Sequence, residues 1–146
     1  MSQEVIDRIA SAKTTEERRT TAEELADKYV KSMGAAKAFR ELKLAEKINA
    51  FSTDKKNPGA REGALLLIAA LAESLEEAGE PYLVPLLPLV LDGYGDKQDT
   101  VRHAAEVAGQ ALMSIPTPHA VKVLLPVCLF LFRAPRSFQK TLNAFK

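Results

Sequence analysis

Residues Pro88 to Glu106 read "PLVLDGYGDKQDTVRHAAE". An apolar run carrying a proline leads into a turn of Asp, Gly and Lys. Beyond Asp99 a second helix begins. Asp96, Asp99, Arg102, His103 and Glu106 crowd together within a chain that is mostly Leu, Val and Ala on either side. A polar cluster of this kind is a catalytic group, a ligand site or the turn between two packed helices. Its spacing favours the turn. Pro88 bends the first helix, Asp96 follows it eight residues later, and Val101 and Arg102 open the second helix. Val101 is expected to pack inward. Asp96 and Arg102 sit where charged side chains can hydrogen-bond to a neighbouring unit.

The rest of the chain also reads as helix. Val5, Ile6, Ile9 and Ala10 follow helical spacing. "TTEERRTTAEELADKYVKSMG" starts with threonines and acids and stops at Gly34. Thr15 is the expected cap, and Gly34 tolerates a left-handed end. "AAKAFRELKLAEKINAF" places Ala38, Phe39, Leu42, Ala45, Ile48 and Phe51 on one side of a single expected helix. After the loop "STDKKNP", Pro58 suits the first turn of a helix that is apolar nearly all round from Ala64 to Leu75. Such a helix must be covered on more than one side. Pro85 and Pro88 make "YLVPLLPLVLDGYG" a kinked helix or two short ones. Pro116 and Pro118 end the helix that Asp99 begins.

Helix, turn, helix and break then recur. Arg61 and Arg102 lie 41 residues apart, each near the start of the second helix of a pair. Leu-Leu-Pro recurs at 86–88 and 124–126, 38 residues apart. Periods near 40 with two helices per unit indicate HEAT or armadillo repeats. The expected fold is therefore all-α, a HEAT-repeat α-solenoid of stacked antiparallel helix pairs. Pro88, Asp96, Val101 and Arg102 match the HEAT pattern at every step. The preceding unit is partial: it has Arg61, but Ala60 before it, and Asp54 is one residue out of register. The following unit has Pro126 but Ala134 at the aspartate position.

Composition narrows the function classes. Hydrophobic residues make up 47% and charged residues 27%, which fits a globular domain. The net charge of +1 gives no global pull toward nucleic acid, although the charge is uneven. Residues 60–100 carry eight acids against Arg61 and Lys97, and residues 101–146 carry six basic residues against Glu106 alone. The single cysteine, Cys128, lies in an apolar run and reads as a buried thiol of a reducing compartment. The N-terminus lacks an apolar signal region, and the longest apolar run, Val123 to Phe132, is too short to span a membrane. A cytoplasmic protein is expected. His103 reads as a helix-surface or inter-repeat residue and His119 as an isolated one. No zinc spacing, nucleotide loop or nucleophile motif occurs, so neither catalysis nor a metal or cofactor is expected.

A narrower resemblance rests on two segments. "EPYLVPLLPLVLDGYGDKQDTVRHAAEVAGQAL" and "PTPHAVKVLLP" resemble the N-terminal HEAT region of the translation elongation factor three family. "REGALLLIAALAESL" and "VRHAAEVAGQALMS" are equally similar to the repeats of Gcn1-type activators. The resemblance covers roughly residues 1–127. It implies a non-catalytic ribosome-binding module whose ATPase cassettes lie elsewhere in a longer parent. Residues 1–34 would form an N-terminal helical pair, 35–127 HEAT repeats, and 128–146 either a capping helix or a truncated repeat. Phe138, Leu142 and Phe145 have the spacing for such a cap. Lys55, Lys56, Arg61 and Lys97 are the candidate contacts to ribosomal RNA phosphates or ribosomal protein. In the competing reading Lys55 and Lys56 are merely solvated and Arg61 belongs to the inter-repeat ladder. Two other functions stay open: a Gcn1-like regulator fragment, and a generic HEAT or TOG scaffold for another protein. For a tubulin-binding TOG unit the lack of tryptophan is a departure.

Overall fold

The structure, a computed structural model, describes residues 2–115. Helix α1 (Ser2–Ser11) turns into α2 (Thr15–Glu24) through a capping box. The Thr14 hydroxyl accepts from the Glu17 amide at 3.2 Å, and the Glu17 carboxylate accepts from the Thr14 and Lys13 amides. The cap is thus Thr14, not Thr15. Thr14 keeps the extended backbone (φ −117°, ψ 154°) that lets its side chain turn back on the helix. Helix α2 runs on through a π-helical segment, Leu25–Val30, into α3 (Lys31–Met33). Gly34 ends it with φ 85° but an extended ψ of 145°.

The next expected helix is two helices, α4 (Ala35–Glu41) and α5 (Leu44–Ser52). Lys43 takes a left-handed conformation (φ 49°, ψ 42°) and turns the chain between them, burying Leu42 and Leu44 on either side. Asn57 then caps α6 (Pro58–Leu75), its side chain accepting from the Ala60 amide at 3.1 Å. Pro58 stands in the first turn, where its missing N–H is not needed.

Past Leu75 the chain is more broken than a single kink. Glu76 has φ 49° and ψ −133°, and a 3₁₀ turn (Glu76–Gly79) leads into α7 (Glu80–Leu83). A second 3₁₀ turn (Val84–Leu86) precedes α8 (Leu87–Tyr94), and α9 (Asp99–Met113) follows. Pro88 therefore sits in the first turn of α8, not inside a continuous helix. A proline needs no N–H partner there, and the 3₁₀ turn ahead of it absorbs the bend.

Among the described residues, six of the helices form three pairs, α1/α2, α5/α6 and α8/α9, and the second members stack in the order α2, α6, α9. Arg18 meets Glu62 near one end of α2 and α6, and Asp27 of the π segment meets Ser74 near the other, so the two helices run parallel. Helix α6 is the centre of the stack, which explains its apolar circumference: Leu65, Leu67, Ile68 and Leu71 are all buried between neighbours. Ile6, Ile9, Leu25, Leu44, Ile48, Leu83 and Val90 complete the same core. Each such side chain contributes roughly 1.5–3 kcal/mol by leaving water. Gly63 sets how near α1 comes to α6, since a Cβ there would stand 2.6 Å from Ile9 Cγ2. Phe39 of α4 stacks on Tyr82 of α7 with ring centroids 4.9 Å apart. Pro116, Pro118, His119, Pro126, Cys128 and the whole 128–146 segment lie outside the described residues.

Candidate functional site

All three turns inside the pairs lie at one edge of the stack, because an arginine from each second helix ties its own turn down. Arg18 donates to the Ala12 carbonyl at 2.7 Å, Arg61 to the Asp54 carbonyl at 2.8 Å, and Arg102 to the Asp96 carbonyl at 2.6 Å. The aspartates of the second and third turns also brace their own backbones. Asp54 accepts from the Lys56 amide and Asp96 from the Gln98 amide, each at 2.9 Å. Asp54 therefore does the same local work as Asp96. Its extra residue of spacing is taken up within the turn.

The arginines also reach across to the next unit. Arg61 Nε and Nη2 donate to the two oxygens of Asp96 at 2.7 and 3.1 Å, a bidentate pair with both side chains mostly buried. The Arg61 hydrogen bond holds the Asp96 carboxyl below the usual carboxylate range and pushes the Arg61 guanidinium up. Arg18 makes the equivalent reach to Glu62 at 3.1 Å. Glu62 is only 2% exposed. Arg18 Nε and Glu62 Oε1 find no hydrogen-bond partner among the described residues. Sequence reading gave no sign of this pair, because its members are far apart in the chain and Glu62 stands in no turn.

The polar cluster around Asp96 is thus divided among structural tasks. Val101 is buried at 1% exposure and Ala60 takes the same inward position one unit earlier. Asp99 pairs with Arg102. His103 is exposed and faces Glu106 at 3.6 Å along the helix surface. Burial pushes the Tyr94 phenol up to about 12, with Glu106 adding to the effect. A cleft of about 80 Å³ lies beside the Arg61–Asp96 pair, lined in part by Ser52, Leu89 and Asp92. Small-molecule sites typically measure about 300–1,000 Å³. A more open groove of about 530 Å³ runs along α1 and α2 past Arg8, Glu16 and Glu24. Among the described residues no group of three or more His, Cys, Asp or Glu could hold a metal ion.

Of the four candidate contact residues, Arg61 is committed to Asp54 and Asp96, whereas Lys55, Lys56 and Lys97 are exposed at the tips of adjacent turns. Comparison with known proteins gives the affiliation of this array of paired helices. The family described as EF3 N-terminal HEAT repeat matches residues 18–146. The chain belongs to that family. Its HEAT units are 31% identical over 144 residues to Elongation factor 3 of Gonapodya prolifera, covering 98% of this chain and 13% of that protein. They are 35% identical over 129 residues to the Stalled ribosome sensor GCN1 of Homo sapiens, covering 88% of this chain and 5% of that protein. Over 76 residues, 52% of this chain and 3% of the relative, they are 42% identical to Protein ILITYHIA of Arabidopsis thaliana. The chain thus spans a small part of the length of these relatives. No solved structure matches it. The matched region is a HEAT-repeat domain. No helix among the described residues is long and apolar enough to cross a membrane.

Proposed function

We propose that the HEAT units form a non-catalytic docking module that contacts the ribosome during translation elongation, in the cytoplasm. The observation that carries this reading is the similarity, along nearly the whole chain, to an elongation factor and to a stalled-ribosome sensor. The geometry supports it. The ladder builds a stiff array whose exposed turns offer Lys55, Lys56 and Lys97 to a partner. Arg61 serves the module from within, by holding those turns in place.

The match to GCN1 relatives favours a second reading, a fragment of a translational regulator. Both readings place the ribosome as the partner. Sedimentation with purified 80S ribosomes across a salt series tests them together. Salt-sensitive co-sedimentation is expected, and no binding at low salt overturns both.

A further inference from the structure

From Glu62 to Asp96 the sequence holds acids but no basic residue. Glu62 and Asp96 are taken up by Arg18 and Arg61. Glu73, Glu76 and Glu77 instead stand exposed around the end of α6, and Ser74 lies among them.

Ser74 differs from the serines that close the other helices. Ser11, Ser32, Ser52 and Ser114 each donate back to a carbonyl of their own helix. The Ser74 hydroxyl donates outward, to the Asp27 carboxylate of the π-helical segment at 2.5 Å. The backbone beside it is irregular. Helix α6 ends at Leu75, Glu76 takes a φ of 49°, and a 3₁₀ turn follows through Gly79. Such a helix end opens locally at low cost, so the residues around Ser74 can enter an extended groove without unfolding the core.

Charge pattern is one thing protein kinases read in a substrate. Among the described residues four serine or threonine hydroxyls have a glutamate three residues later: Thr14, Thr20, Thr21 and Ser74. The first three lie close to Arg18 and Arg19 in sequence, and their hydroxyls are committed within α2. Thr14 serves the capping box, and Thr20 and Thr21 donate to the Glu16 and Glu17 carbonyls. Ser74 has acids on both sides and no basic residue nearer in sequence than Arg61 or Lys97.

We propose that Ser74 is a phosphorylation site for a protein kinase that selects acidic segments, and that its phosphate separates the end of α6 from the π-helical segment. The kinase transfers the γ-phosphoryl group of ATP. Ser74 Oγ forms the new O–P bond while the bond to the β-phosphate oxygen breaks, ADP departs, and the hydroxyl proton passes to the kinase's catalytic base. The product has lost the donor that met Asp27. In its place a charge of about −1.5 to −2 faces the Asp27 carboxylate, flanked in sequence by Glu73 and Glu77, at the negative end of the α6 dipole. On the facing segment Lys28 already pairs with Glu24, and Lys31 lies past the end of the π turn. Repulsion therefore outweighs capture.

The test uses the full folded chain, casein kinase II and ATP, with peptide mass spectrometry to place the phosphate and thermal melts to confirm that each variant is folded. Wild type should take phosphate on Ser74, Glu77→Gln about tenfold more slowly, and Ser74→Ala none in that peptide. Phosphate that appears only after the chain is unfolded, or on Thr14, Thr20 or Thr21 and not on Ser74, overturns the site. Hydrogen exchange reads the consequence. Amides of residues 25–30 and of the last turn of α6 should exchange about tenfold faster in the phosphorylated chain. The gain should shrink in Asp27→Asn, which presents no facing charge. Unchanged exchange, or a gain as large in Asp27→Asn, overturns the repulsion. Slower exchange overturns it too, and would place the phosphate on Lys31.

Discussion

The two joints between successive units solve one problem with different chemistry. At the second joint Arg61 meets a turn aspartate in a bidentate pair, and that carboxylate also braces its own turn. At the first joint Arg18 meets Glu62, a side chain in the body of α6, through a single bond that leaves one atom on each partner unmatched. The second joint is one connected network, in which each group has several roles. The first is a more deeply buried charge pair in which the arginine also holds its own turn at Ala12 but the acid braces no backbone amide. Two joints of equal reach should therefore differ in what their removal does.

The largest loss is expected from Glu62→Ala, about 4 kcal/mol, because it leaves the mostly buried Arg18 cation with the Ala12 carbonyl and no counter-charge. Asp96→Ala should cost about 3 kcal/mol, since the Asp96 side chain is less deeply buried than that of Glu62, 14% exposed against 3%. Chemical denaturation of each variant measures both, and the reverse order would break the distinction.

A sharper test replaces each pair with apolar residues. Arg18→Met with Glu62→Leu should leave stability within about 1 kcal/mol of wild type or raise it, as exchanged buried ion pairs often do. Arg61→Met with Asp96→Leu should lose about 2 kcal/mol or more, because the bonds to the Asp54 carbonyl and from the Gln98 amide both go with the charges, against the one Ala12 bond lost in the first swap. Equal outcomes would show that the network adds nothing beyond the pair.

Acid titration isolates the second joint. The folded Asp96 carboxyl is held below its ordinary value. Its contribution is thus fully present above an unfolded pKa of about 3.9 and is lost as the pH falls through the folded value. The stability gap between wild type and Asp96→Asn should therefore close on acidification from about pH 5 downward. A gap that holds constant across that range would remove the charge from the account.

The smallest effect lies away from both joints. Glu76 occupies a backbone region that favours glycine (φ 49°, ψ −133°). Glu76→Gly should stabilise by about 0.5–1 kcal/mol, seen as a rise of a few degrees in Tm. If it destabilises, the Glu76 side chain contributes more than its strain costs.

The same contrast explains what could be read without coordinates. Pro88, Asp96, Val101 and Arg102 are close in sequence, and their spacing reports turn chemistry directly. The Arg61–Arg102 period exposed the second joint. Glu62 was silent because its partner is set by stacking, not by local pattern. The first turn was missed for a related reason: only the alignment of Arg18 with Arg61 and Arg102 shows that it belongs to the same ladder. The break at Lys43 carried no glycine or proline to announce it. The π-helical segment at Leu25–Val30 left no mark in the spacing of its apolar residues.

The ladder has a mechanical consequence as well. Charged rungs lace the units along the edge of the turns, and at the other margin Ser74 reaches Asp27 through an exposed hydroxyl bond. Salt-bridged rungs yield less than such a bond does. An array held by salt-bridged rungs on one margin and by a hydroxyl bond on the other bends by fanning the second margin while the edge of the turns keeps its length.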